Sequence, residues 1–126
     1  MFNFFRKKER VLPPFESLAA YPYKDKYFYR VASWQGKDKE NILILDPNNP
    51  RVITLDPWPQ IVFLAAKGKM TVQQYIEYMA STYTSKIPAA LDDTIIYQIN
   101  QLLEERLLRF SDVPVDLDPQ HDKPRQ

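Results

Sequence analysis

The chain has no cysteine, two glycines and one histidine among its 126 residues. Without cysteine it has no disulfide, no thiolate metal ligand and no cysteine nucleophile. Gly36 and Gly68 stand far apart, so no glycine-rich loop exists to cradle a phosphate. His121 has no second imidazole with which to share a metal and no nucleophile beside it to activate. It is expected to be solvated. No apolar run approaches the ~20 residues of a membrane-spanning helix. Charge is nearly balanced: 17 Lys and Arg against 16 Asp and Glu leave a net +1. A general nucleic-acid binder carries a clear basic excess, so this balance argues against one. The paired acids Asp92-Asp93 and Glu104-Glu105 do not converge, because neighbours on a helix point about 100° apart. Together these absences argue against an enzyme and imply no cofactor and no metal.

Enough apolar material is present for one core. Hydrophobic residues make up 44% of the chain and aromatics 13%, which is a folding rather than a disordered composition. The start, Met1-Phe2-Asn3-Phe4-Phe5-Arg6-Lys7-Lys8, places aromatics ahead of basic residues, the reverse of a signal peptide. With the missing cysteines this gives a cytoplasmic reading. The same stretch has the chemistry of a weak membrane-surface anchor, but such anchors need more apolar area. A flexible or self-docking arm is therefore the expectation.

Residues 1–26 are irregular, broken by Pro13-Pro14 and Pro22. Phe15, Leu18, Tyr21 and Tyr23 are too apolar for a free linker, so this arm is expected to pack on its own domain or on a partner. Residues 27–34, rich in aromatic and β-branched types, predict a first strand. Residues 42–45 predict a second strand and 51–55 a third, with Asp46-Pro47-Asn48-Asn49-Pro50 as the turn between them. Short loops predict that the three form one antiparallel meander.

Asp56 and Pro57 predict the start of a helix with Ile61, Val62, Leu64 and Ala65 inward and Gly68 as its left-handed cap. Thr71 with Gln74 is a capping box for a second helix, whose stripe is Val72, Tyr75, Ile76, Met79 and Tyr83. Asp92 or Asp93 is expected to cap a third helix with Ile95, Ile99, Leu102, Leu103, the stem of Arg106 and Leu107 inward. The Pro- and Asp-rich residues 111–126 predict a disordered tail. The fold class expected is α+β: winged-helix-like, a three-stranded antiparallel sheet followed by a three-helix bundle over residues 27–110.

The third helix decides between two kinds of partner. From Asp92 to Arg109 it carries four acids against Arg106 and Arg109, so it repels phosphates rather than attracting them. A DNA-binding regulator is accordingly the weakest reading. A three-stranded meander, by contrast, has an open edge that templates an incoming strand. Beside it, Tyr97, Gln101, Glu104 and Leu108 recur at helical spacing as a mixed aromatic, polar and acidic stripe. That stripe suits an extended peptide. Alternatively, Tyr97 and Leu108 cover the core or the arm.

The order of short strands, Val52-Ile53-Thr54-Leu55-Asp56 entering a helix, Lys67-Gly68-Lys69-Met70-Thr71 opening another, and Leu102-Leu103-Glu104-Glu105-Arg106-Leu107-Leu108 near the end resembles PqqD and the PqqD-like peptide-recognition domains of ribosomally made peptide pathways. The similarity covers about residues 41–110, and its motifs are diffuse. It implies a non-catalytic chaperone that holds the leader of a precursor peptide and presents it to a peptide-modifying enzyme, often a radical-SAM protein. It also implies a site: the leader adds as a strand beside Arg51, Val52, Ile53, Thr54 and Leu55 and packs against Tyr97, Gln101, Glu104 and Leu108. The aromatic first 40 residues, the Pro-rich tail, and Trp58 and Pro59 depart from the family pattern. These departures keep open a second class of function, a small structural or assembly subunit of a larger complex docked through its N-terminal arm.

Overall fold

A computed structural model describes residues 12–125 of the chain; the aromatic-basic start, Met1 to Lys8, lies outside the described residues. The elements run α1 (Glu16–Ala20), β1 (Tyr27–Arg30), β2 (Ser33–Gly36), β3 (Ile42–Leu45), β4 (Val52–Thr54), α2 (Pro57–Ala65), β5 (Lys67–Thr71), α3 (Val72–Ser81), α4 (Leu91–Glu104), β6 (Leu108–Ser111) and α5 (Pro119–Asp122). The class is α+β. It contains two separate three-stranded antiparallel sheets, ordered β5-β1-β6 and β2-β3-β4.

This corrects the single meander. The predicted strand 27–34 is cut at Val31-Ala32, and its halves enter different sheets. Val31 donates its N–H to Leu107 O at 2.9 Å, and Ala32 is fully buried. The first half pairs with two strands that the sequence does not announce. Lys67–Thr71 pairs as β5, so Gly68 takes its left-handed conformation (φ 79°) within a strand and not as a helix cap. Leu108–Ser111 pairs as β6, and its first two residues, Leu108 and Arg109, were expected to belong to the helix before it.

Three helices share the core with the sheets. α2 starts with Asp56 and Pro57 in the expected places, although the Asp56 side chain makes no capping bond. Val62 and Phe63 are its buried residues, while Ile61, expected inward, is exposed. The Thr71 hydroxyl accepts from Gln74 N, and Gln74 Oε1 accepts from Thr71 N, so the capping box of α3 is complete. α4 buries Leu91, Ile95, Ile99 and Leu102 on one stripe. Phe28 and Tyr75 meet edge-on between β1 and α3, with ring centroids 5.4 Å apart. Burial of each large core side chain such as Phe28 or Phe63 contributes roughly 1.5–3 kcal/mol.

The described part of the N-terminal arm packs on its own domain. Phe15 and Leu18 are buried, and Asp92 accepts from Leu18 N at 3.0 Å. Asp93 accepts from the Ser17 hydroxyl. These two carboxylates hold α1 against α4 and do not cap α4, whose N-cap position is Ala90 without a side-chain bond.

The segment after Ser111, where composition suggests disorder, is laid across the body. Val115 N donates to Gly68 O at 2.9 Å, and Asp116 pairs with Lys69. Asp118 caps the short helix α5, and Arg125 N donates to Trp34 O at 2.7 Å. Arg30, only 2% exposed, fastens it. Its guanidinium donates to His121 O (2.7 Å) and Asp122 O (2.9 Å) in the tail, and to Leu64 O (2.7 Å) at the end of α2. Trp34 and Phe63 lie within 6 Å of the same cation.

Candidate functional site

Two separate sheets have four edges, and an open edge invites a further strand. The tail occupies two of them. Val115 bonds the outer side of β5 at Gly68, and Arg125 bonds the outer side of β2 at Trp34. The edges of β4 and β6 carry no such cover among the described residues.

The β4 edge has a defined polarity. Asp46 N donates to Arg51 O at 3.1 Å, so these two form a hydrogen-bonded pair, and the antiparallel alternation makes Ile44 and Ile53 the next one. The N–H and C=O groups of Val52 and Thr54 therefore point away from β3 toward the open side. Val52 is 55% exposed, and Thr54 is exposed too, whereas Ile53 and Leu55 lean on the core.

Arg51 joins this strand to α4. Its guanidinium donates to Asp46 Oδ2 at 2.6 Å and to Glu105 Oε1 at 2.9 Å. Asp46 is buried at the turn and also accepts from Asn48 N at 2.8 Å. The Asn48 N–H, with the Arg51 guanidinium behind it, holds the Asp46 carboxyl down at about 2. The turn Pro47 to Pro50 is thus pinned from within, and the start of β4 is fixed beside the end of α4.

On α4, Tyr97 and Gln101 lie as the spacing predicts. Tyr97 is 59% exposed, and Gln101 donates to its hydroxyl at 3.0 Å across one turn. Glu104 is exposed at the last helical residue. Leu108 is not part of this face. It lies on β6 opposite Arg30, 2% exposed, and covers the core. The helix ends early because Arg106 turns left-handed (φ 63°), with Arg106 N donating to Leu103 O and Leu107 N to Leu102 O. Arg106 is therefore exposed and contributes no core stem.

A cleft that the sequence does not announce lies where these parts meet. It has a volume of about 580 Å³ and lies between the β3–β4 turn, the end of α4 and β6. Arg106 and Arg109 line it together with Asn48. The alternation Leu108-Arg109-Phe110 was the one available signal that a strand, not a helix, ends the motif.

Among the described residues there is no cluster of side chains able to hold a metal and no helix long and apolar enough to cross a membrane. No family model, curated protein or solved structure matches this chain.

Proposed function

We propose that the chain is a non-catalytic peptide-binding adaptor of the PqqD-like type. It takes an extended segment of a precursor peptide as a fourth strand on β4 and presents it to a modifying enzyme, such as a radical-SAM protein. The observation that carries this reading is the single-sided protection of the edges. The tail bonds β5 and β2, while Val52 and Thr54 keep outward-pointing backbone groups, and Arg51 just before them is tied to Glu105 at the end of the helix that exposes Tyr97 and Gln101. Main-chain bonds to Val52 and Thr54 supply affinity, and the helix face selects side chains. The order α2-β5-α3-α4-β6, with β1 between β5 and β6, also supports the winged-helix reading that this family implies.

The test is selection of nonapeptides displayed against the full chain, then titration of the enriched peptide into 15N-labelled protein. Shifts and amide protection are expected at Val52 and Thr54, and at Tyr97 and Gln101. Shifts that avoid both groups overturn the reading. Val52→Pro removes one outward N–H on an edge strand that tolerates proline, so the fold is retained and binding falls ~10-fold or more. Unchanged binding by the folded variant counts against strand addition.

A further inference from the structure

The turn that leads into β4 borders the cleft, and the cleft has its own chemistry. Its floor is apolar: Val31 and Leu103 are half-buried and Leu108 is buried. Its rim is cationic. Arg106 and Arg109 are both exposed, and neither guanidinium has a hydrogen bond or ion pair among the described residues. Arg51 nearby is already engaged, held by Asp46 and Glu105.

Arg106 occupies a costly place. The left-handed residue after a helix is usually glycine, and a side chain there costs ~1–2 kcal/mol. Glycine would complete the same turn, with Leu107 N still bonded to Leu102 O. An arginine there brings a guanidinium to the cleft at the expense of stability.

We propose that this cleft reads one carboxylate side chain, Asp or Glu, on the peptide that adds to β4, with an aliphatic neighbour of that residue on the floor. This rests on the strand-addition reading, because a peptide paired with Val52 and Thr54 that continues past Arg51 runs into the cleft beside Asn48. Two guanidiniums present forked donors suited to a planar carboxylate. Glu104 and Glu105 stand next to Arg106 in the chain. They make the surroundings unfavourable for a run of phosphates while leaving room for a single acid. The ligand class is accordingly an acidic peptide and not a nucleic acid.

The test uses fluorescein-labelled nonapeptides of alternating Val and Thr, each carrying one Glu or one Gln at a single position, with anisotropy read against the full chain. At one position Glu is expected to bind ~10-fold or more tightly than Gln, with the difference shrinking as salt rises. Arg106→Gly combined with Arg109→Gln removes both cations, and the glycine relieves the backbone strain, so loss of fold does not explain the result. In that variant the Glu preference is expected to vanish while the Gln peptides bind as before. Peptides that bind without any Glu preference overturn the cleft proposal and leave strand addition standing. A preference that survives in the double variant also overturns it. Failure of every peptide to bind overturns both readings. Binding of a single-stranded oligonucleotide that depends on Arg106 and Arg109 overturns it in favour of phosphate recognition.

Discussion

Gly68 lies directly beneath the backbone of Val115. A Cβ built on Gly68 would meet Val115 O at 2.6 Å and Val115 Cβ at 3.0 Å, and the Gly68 φ of 79° is one that side chains rarely adopt. The glycine is required by the close approach of the tail as well as by its own dihedral. Gly68→Ala is expected to destabilise the protein by ~1–3 kcal/mol in urea denaturation. It should also accelerate hydrogen exchange at the Val115 amide, which donates to Gly68 O. Gly36 has nothing within 4 Å of its Cβ position, so Gly36→Ala should shift stability by no more than ~0.5 kcal/mol. Equal effects at the two glycines would contradict the packing of the tail on β5.

Arg30 closes the other end of the tail. Its guanidinium serves carbonyls of Leu64, His121 and Asp122 at once, and its main-chain N–H bonds Ala66 O. Burial pulls its pKa down, with Asp122 pulling it back, and the group remains cationic at neutral pH. Arg30→Met keeps the apolar stem but leaves those carbonyls without donors, at an expected cost of about 3 kcal/mol or more by thermal denaturation. Arg30→Lys keeps the charge but not the fork, and should fall between the two. Limited proteolysis should cut residues 117–125 faster in Arg30→Met than in the parent. Equal cutting would mean that Arg30 does not hold the tail.

What could be read from the sequence follows the range of each interaction. The Thr71-Gln74 box, the Pro- and Asn-rich turn before Arg51 and the 3.6-residue stripe of α4 as far as Leu102 are local, and each is found as predicted. β5 and β6 were hidden because their partner, β1, lies far off in the chain. Lys67–Thr71 looked like the gap between two helices, and Leu108 like one more helical leucine. Without glycine at position 106, only the alternation Leu108-Arg109-Phe110 marks the end of α4. Asp92 has the composition of a cap, but the N–H of Leu18 reaches it first. The candidate site divides in the same way. Residues 51–55 and the Tyr97-Gln101 face were legible, whereas Leu108 and the two cleft arginines depend on where the helix stops.

Asp46 makes the turn before β4 acid-sensitive. Its folded pKa lies at about 2, below the ~3.9 of an unfolded aspartate. As pH falls, the unfolded chain takes up this proton first. The stabilisation is complete above about pH 4 and is lost as pH falls through about 2. Asp46→Asn should therefore weaken the protein at neutral pH and remove part of the acid dependence of its Tm in that window. If the Tm of parent and variant fall in parallel between pH 4 and pH 2, the carboxylate does not supply this stability. The same variant frees Arg51 from one of its two anchors, so amide exchange at Ile53, which pairs with Ile44, should rise without any change in α3.

Tyr75 carries a buried hydroxyl with no hydrogen-bond partner among the described residues, on a side chain only 1% exposed. An unsatisfied buried donor costs ~1–3 kcal/mol, whereas an apolar group of the same shape costs nothing in this respect. Tyr75→Phe retains the edge-on contact with Phe28. It is expected to leave stability unchanged or raise it by ~1 kcal/mol. Alkaline behaviour gives an independent readout. Burial pushes the Tyr75 pKa up to about 12 from an ordinary value of 10. Above about pH 10 the unfolded chain loses this proton while the folded one keeps it, so stability is lost as pH rises from about 10 through 12. Tyr75→Phe should therefore soften the alkaline fall in Tm. It should also remove one late-titrating phenol from the absorbance at alkaline pH, leaving Tyr21, which burial likewise pushes up to about 12. A destabilised Tyr75→Phe protein would show instead that the hydroxyl is satisfied.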